Sequence, residues 1–332
     1  MKRVPAYATV GVVGAGSYGA ALALAATRAG RAVRLWARDP LTIAAIARSR
    51  QSPRLPDIDL PETIRATASL EDLAGCDALI VAVPTQNLRS ACQNLAEKLS
   101  ADMPIVSAAK GIEQASGLFP TQIIESVLPG ARTAILSGPS FASDIGRGLP
   151  TAVTLAAAEP DLAQGLAEAL SSPAFRIYHS DDPLGVEIGG AAKNVLAIAA
   201  GIAIGLGYGE SARAALVARG FAELRRFGEA YGGEPETLMG LSGLGDVVLS
   251  CASPQSRNFA YGLALGKGKA PAEASGGKLA EGAFTAPVLV EMARSRHIET
   301  PIAEAVAEII AGRIGVAEAV AALLARPIRA ER

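Results

Sequence analysis

Short continuous apolar runs alternate with helix-length Ala/Leu-rich stretches over the first half of the chain. Val10–Val13 is an apolar run ending at Gly14 and predicts a buried strand. Ser17–Ala29 predicts a helix closed by Gly30, and Ala32–Trp36 a second strand. Ser69 is expected to cap a short helix, with Asp72 in the reciprocal position of a capping box. Ala78–Val83 reads ALIVAV and stops at Pro84, as a parallel strand covered on both faces would. Further helices are predicted over Leu88–Leu99, Gln122–Val127 and Ala163–Leu170. Further strands are predicted over Ile105–Ala108, Thr133–Leu136, Thr151–Ala156 and Phe175–Tyr178. This alternation predicts a doubly wound α/β domain.

The strand pattern ends at Ser180-Asp181-Asp182-Pro183. Leu184–Leu206, Ser211–Tyr231, Pro287–Arg296, Ile302–Ile310 and Val316–Leu324 then predict helices only. Two domains are expected, residues 1–180 α/β and residues 181–332 all-α, and a length of 332 residues agrees at roughly 150 residues per domain. Lys267–Gly277 is small, polar and unpatterned, and predicts a surface loop. Val195–Gly207 is the most apolar later stretch. It is too short to span ~30 Å of hydrocarbon and predicts a core helix. Met1-Lys2-Arg3 is a basic start, but Pro5 breaks the apolar run that follows, so a strand lead-in is favoured over a secretory signal.

Composition narrows the partners. A hydrophobic fraction of 50% with 19% charged residues excludes a disordered chain. Lys+Arg number 31 and Asp+Glu 32, so the chain lacks the basic excess of a nucleic-acid binder or a lipid-surface protein. A small molecule held by a local positive site remains open. Cys76, Cys92 and Cys251 are far apart and form no CxxC pair, and His179 and His297 stand in no ligand motif. A disulfide framework and a metal site are not expected, and a reducing cytoplasm fits. Gly numbers 35 while aromatics are 4%, which points to close backbone approaches.

The chemistry sits in short segments. Gly14-Ala15-Gly16-Ser17-Tyr18-Gly19 is G-x-G-x-x-G between a predicted strand and a predicted helix. That context predicts a Rossmann-type dinucleotide site, with Gly14 in the tight turn, Gly16 under a pyrophosphate and Gly19 at the helix–strand contact. After the second strand comes Ala37-Arg38-Asp39. An arginine suits a 2′-phosphate, so NADP is favoured over NAD. Asp39 keeps NAD open if it turns inward. Lys110 lies past a strand end, where open α/β sheets bind ligands, or is an ordinary surface lysine. SGPSFA, Ser137–Ala142, is a turn able to offer backbone N–H groups or a purely structural one. In GGAAKNVLAIAA, Lys193 opens a very apolar helix; it is an acid–base candidate with a lowered pKa, or a snorkelling lysine. Asp246 in GLSGLGD is a functional carboxylate, a helix N-cap, or both. Ser256-Arg257-Asn258 supplies a guanidinium fork suited to phosphate or an ordinary surface arginine, and Glu281 in KLAEG is an acceptor for ribose or amide or an exposed carboxylate.

GAGSYG, VAVPTQ, SAAKGIE, SGPSFA, GAAKNVLAIAAG, GLSGLGD and SRN occur in this order. Together they resemble the bacterial NAD(P)-dependent glycerol-3-phosphate dehydrogenase family from about residue 9 to about residue 325. The resemblance implies reversible reduction of dihydroxyacetone phosphate to sn-glycerol 3-phosphate for phospholipid synthesis, in a cytoplasmic enzyme expected to be a homodimer. It implies Lys193 as proton donor and acceptor, assisted by Lys110 and Asp246. It implies substrate contacts at Lys110, Gly138, Ser140, Lys193, Asp246, Ser256, Arg257 and Asn258. Cofactor contacts are implied at Gly14, Gly16, Ser17, Tyr18, Gly19, Arg38, Lys110, Ala142, Arg257, Leu279 and Glu281. Two departures stand out: Thr85-Gln86 where Ser-His is common, and Phe259-Ala260-Tyr261 where a more basic stretch is common. The rival readings are a related dehydrogenase acting on a 3-hydroxy acid or sugar acid, and a non-enzymatic dinucleotide sensor.

Overall fold

The computed structural model describes residues 7–277 and 279–327. Met1-Lys2-Arg3, Pro5 and Lys278 lie outside the described residues. The first half runs β1 (Thr9–Val13), α1 (Ser17–Arg28), β2 (Ala32–Trp36), α2 (Pro40–Ser49), β3 (Gln51–Ser52), β4 (Leu55–Asp59), β5 (Ile64–Thr67) and β6 (Ala78–Val81). It continues with α3 (Thr85–Leu95), β7 (Pro104–Ser107), α4 (Pro120–Val127), β8 (Arg132–Ser137), α5 (Ala142–Arg147), β9 (Thr151–Ala156), α6 (Pro160–Leu170) and β10 (Phe175–Ser180). Prolines open α2, α4 and α6, where the missing N–H costs nothing and φ is already helical.

One sheet of eight strands has the order β10-β9-β8-β7-β6-β1-β2-β5. The run β5-β2-β1-β6-β7-β8 is parallel throughout and is the strand order of doubly wound dinucleotide-binding folds. β9 pairs antiparallel with β8, and β10 parallel with β9, so these two strands extend the sheet in the opposite direction. Every residue of β6 is buried, as its unbroken apolar sequence predicts. The turn switch between β1 and β6 leaves a crevice beyond the carboxyl ends of β1, β6, β7 and β8. Gly14, Pro84, Lys110 and Gly138 all follow those ends.

One local expectation is corrected. Ser69 and Asp72 form no capping box. Glu71–Leu73 is a single 3-10 turn; Ser69 bonds the Glu71 carboxylate and Asp72 the Thr67 hydroxyl. Side chains in so short a turn find each other rather than free helix N–H groups.

The second half is helical among the described residues: α7 (Pro183–Gly205), α8 (Gly209–Tyr231), α9 (Pro235–Met239), α10 (Asp246–Ser250), α11 (Arg257–Gly266), α12 (Pro271–Ala274), α13 (Glu281–Ser295), α14 (Pro301–Ile310) and α15 (Val316–Leu324). The helix predicted to begin at Pro287 begins earlier, at Glu281. Burial of Thr285, Ala286, Val288 and Leu289 carries it through the proline. The loop expected over Lys267–Gly277 contains the one-turn α12, none of it buried. α7 is the spine, packed against α8, α10, α11, α13, α14 and the end of β8. It is long and apolar enough to cross a membrane, but 89% of its most apolar window is buried inside the protein, as a core helix would be. No other described helix passes that test.

Candidate active site

Gly189, Gly190 and Lys193 lie on one face of α7, being three and four residues apart. A Cβ on Gly189 would stand 2.7 Å from the Ser242 carbonyl oxygen. One on Gly190 would stand 2.8 Å from Ser137 Oγ and 3.6 Å from the Lys110 side chain. The absent side chains let this face meet both the turn before Asp246 and the carboxyl edge of the sheet. That turn is a π-type turn over Leu241–Gly245, and Gly245 rather than Asp246 occupies the N-cap of α10. The Asp246 carboxylate therefore serves the lysines instead of the helix.

Asp246 is 1% exposed and Lys193 8%. Lys193 Nζ donates to Asp246 Oδ1 at 3.1 Å and to Ser250 Oγ at 2.7 Å. Ser250 Oγ donates to the same Oδ1 at 3.1 Å. Lys110 Nζ donates to Asp246 Oδ2 at 2.7 Å and to the Gly138 carbonyl at 2.9 Å. Gly138 has φ +139°, and a Cβ there would stand 2.9 Å from the Val153 Cα, so the position favours glycine twice over. One carboxylate thus bridges two ammonium groups from opposite halves of the chain. Burial pushes the Lys193 pKa down and the Lys110 charge adds to this, while Asp246 opposes both; the net shift is downward. Burial pushes Asp246 up, but Lys110 and Lys193 together outweigh it and hold its carboxyl below the usual range.

A chain of amides holds the lysines in register. Asn194 Nδ2 donates to the Lys110 carbonyl at 2.8 Å, Asn258 Nδ2 to Asn194 Oδ1 at 2.8 Å, and the Gly282 N–H to Asn258 Oδ1 at 2.9 Å. Glu281 Oε1 accepts the Thr85 N–H at 2.9 Å, tying α13 to the start of α3. Burial pushes the Glu281 carboxyl up, and Arg257 and Lys193 pull it back in part. Ser256 caps α11 by accepting the Phe259 N–H. Arg257 is exposed beside it, and Ala142 and Leu279 are half-buried. Gln86, in the place of the common histidine, donates to the Ile112 carbonyl at 2.8 Å and accepts the Gln114 N–H at 3.0 Å. It steadies the loop after Lys110.

The glycine turn fits a dinucleotide. Gly14 has φ +111° and a Cβ there would meet the Ala82 carbonyl at 2.8 Å. A Cβ on Gly19 would meet the Gly14 carbonyl at 1.8 Å, so α1 packs directly on the turn. A Cβ on Gly16 would meet nothing within 4 Å, which leaves open space over the turn. Gly16 caps α1 with no side-chain bond, so the first-turn N–H groups remain for an anion. Asp39 is occupied elsewhere: it caps α2, accepting the Leu41 N–H and the Thr42 hydroxyl at 3.0 Å each. Arg38 is exposed beside it.

Three features here are absent from the sequence reading. Ser250 completes the Lys193–Asp246 triangle; its spacing of four from Asp246 on a helix was the available signal. Asn194 acts as the link between Lys110 and Asn258. The hairpin of β3 and β4 is tied to the glycine turn, with the Ser17 hydroxyl donating to the Arg54 carbonyl at 2.5 Å and the Ser52 hydroxyl to the Ala15 carbonyl at 3.3 Å.

Comparison with known proteins agrees with this arrangement. Residues 9–163 match the profile described as NAD-dependent glycerol-3-phosphate dehydrogenase N-terminus, and residues 182–321 the corresponding C-terminus. A glycerol-3-phosphate dehydrogenase (NAD(P)+) of Azorhizobium caulinodans is 56% identical over 328 residues, covering 98% of this chain and 99% of that one. Its counterpart in Methylobacterium radiotolerans is 56% identical over 324 residues, covering 97% and 98%. The crystal structure of glycerol-3-phosphate dehydrogenase from Coxiella burnetii superposes with a TM-score of 0.92 at 36% identity, over 97% of this chain and 100% of that one. With a doubly wound sheet, a glycine turn and paired lysines on one carboxylate, the chain belongs to the NAD-dependent glycerol-3-phosphate dehydrogenase family.

Proposed function

We propose that the protein reversibly reduces dihydroxyacetone phosphate to sn-glycerol 3-phosphate with NADPH or NADH, supplying glycerophospholipid synthesis, with Lys193 as the general acid and base. The arrangement of Lys193, Asp246 and Lys110 carries this reading. The residues around Gly14–Gly19 would hold the dinucleotide, which supplies the hydride when bound. Reduction leaves negative charge on the carbonyl oxygen, and the remaining Lys193 proton meets that need. Lys193 then becomes a neutral amine, a form that its burial favours. Asp246 holds the ammonium in place. Lys110 adds positive charge near the same oxygen. Arg257, with Ser256 and Asn258 at the same end of α11, would bind the phosphate and fix the carbonyl.

Residues 1–180 form the dinucleotide domain in this reading and residues 181–332 the substrate domain, with the site in the cleft between them. Arg38 stands ready for a 2′-phosphate while Asp39 is committed to α2, which supports NADP over NAD. Cys76, Cys92 and Cys251 are free and buried, in keeping with a cytoplasmic enzyme. A homodimer is the proposed assembly, testable by light scattering.

Oxidation of NADPH and of NADH is to be followed separately with dihydroxyacetone phosphate. Turnover is expected with both and faster with NADPH; no oxidation of either overturns the activity. Lys193→Ala should lower kcat about 100- to 10,000-fold, the usual weight of a positioned acid. Near-normal turnover in the folded variant would reject Lys193.

A further inference from the structure

Tyr18 follows the glycine turn as the second residue of α1, and its hydroxyl reaches the turn after β8. Its Oη lies 2.8 Å from Ser140 Oγ. Ser140 has a single proton, and Ser140 Oγ donates it to the Gly138 carbonyl at 2.9 Å. Tyr18 must therefore be the donor to Ser140. The Gly138 carbonyl receives its second hydrogen bond from Lys110 Nζ at 2.9 Å. An ordered chain results: Tyr18 hydroxyl, Ser140 hydroxyl, Gly138 carbonyl, Lys110 ammonium. Lys110 Nζ also lies 5.7 Å from the centroid of the Tyr18 ring, within cation–π range. Burial pushes the phenol up to about 12, so it remains a donor at neutral pH.

We propose that Tyr18 is a positioning residue for the substrate, acting through Ser140. This rests on the reading of Ser140 as a substrate contact. Once Ser140 turns its proton from Gly138 to a substrate oxygen, Tyr18 continues to donate to the other side of Ser140. A hydroxyl that accepts one hydrogen bond is a stronger donor of another. Without the phenolic proton, Ser140 is held only by the bond it donates, and its donor is weaker. The ring of Tyr18 flanks the cofactor turn in either case, so its hydroxyl is the part that belongs to substrate recognition.

Tyr18→Phe isolates that hydroxyl, since it keeps the ring, its packing and the contact to Lys110. KM for dihydroxyacetone phosphate at saturating NADPH should rise about three- to tenfold, the weight of one neutral hydrogen bond. The Kd for NADPH, titrated by fluorescence without substrate, should stay within about twofold, which also reports a folded site. Ser140→Ala should raise the same KM, and the double variant should be no worse than Ser140→Ala alone. An unchanged KM in Tyr18→Phe, a parallel weakening of NADPH, or effects that multiply in the double variant would each overturn the proposal. If Ser140→Ala leaves KM untouched, Ser140 is not a substrate contact and the route through it fails as well. If Ser140→Ala raises KM and Tyr18→Phe does not, the role of Tyr18 alone fails.

Discussion

An ammonium has three protons, and Lys193 commits two of them inside the protein, to Asp246 and Ser250. Lys110 does the same with Asp246 and Gly138. Each lysine keeps one proton to offer, and its direction is set by the two that are held. Asp246 is the shared element, and its charge is what keeps a proton on the buried Lys193. Asp246→Asn keeps the shape and removes the charge. Reduction needs the ammonium, so kcat/KM for dihydroxyacetone phosphate falls as pH rises past the lowered Lys193 pKa. Loss of the Asp246 charge lowers that pKa further, so the alkaline limb should move to lower pH while kcat drops about ten- to a hundredfold. A limb that stays in place while kcat falls would show that Asp246 does not hold the proton. Lys110, Lys193 and Asp246 were legible because each stands out against small or apolar neighbours. Ser250 was not: its spacing of four from Asp246 puts the two on one helix face, but that face's partner, Lys193, comes from a distant helix that no local window shows.

Helices α7 and α11 touch through backbone. Gly201 and Gly205 on one face Gly262 and Gly266 on the other. A Cβ on Gly201 would stand 2.1 Å from the Phe259 carbonyl oxygen, one on Gly262 2.0 Å from that of Ile198, and one on Gly266 2.4 Å from that of Ile202. This closeness brings Asn258, one turn before Gly262, to Asn194, and through it sets Lys110. Glycine weakens a helix by about 1 kcal/mol relative to alanine, so a helix over Arg257–Gly266 carries a poor local signal. That is why α7 was readable from its apolar run while α11 was not: tertiary contact, absent from any local window, holds it. The same physics reverses the usual sign of a substitution. Gly262→Ala should destabilise by about 1–3 kcal/mol in denaturant titration, as overpacking does, where propensity alone would stabilise. A neutral or stabilising result would mean the seam has room to open.

A hydrogen-bonded network spans the sheet edge and the helical spine, and a second tie joins the two halves away from it. The alternation of runs and helices was enough to place seven of the eight strands, all but the edge strand β5, and the change of class after Ser180. The reversal at β9 was not legible, because strand direction leaves no mark on composition. Nor was the second tie. Glu187 on α7 is 3% exposed and accepts the Thr121 N–H at 2.7 Å and its hydroxyl at 3.0 Å, at the opening of α4. Burial pushes its carboxyl up to about 8, from an ordinary 4.5. A carboxyl raised on folding contributes stability in full below its unfolded value and loses it as pH rises through its folded value. The window for Glu187 therefore runs from 4.5 to about 8. Glu223, raised to about 7 where it caps α14, works in the same direction. The protein should lose stability as pH rises across this range. Glu187→Gln keeps an acceptor for Thr121 and cannot ionise. Its unfolding free energy should fall less steeply with pH, by up to about 1.4 kcal/mol per pH unit at the steepest point. Parallel curves for the two proteins would mean that Glu187 is charged in the folded state throughout, with the N-terminus of α4 and Thr121 outweighing its burial.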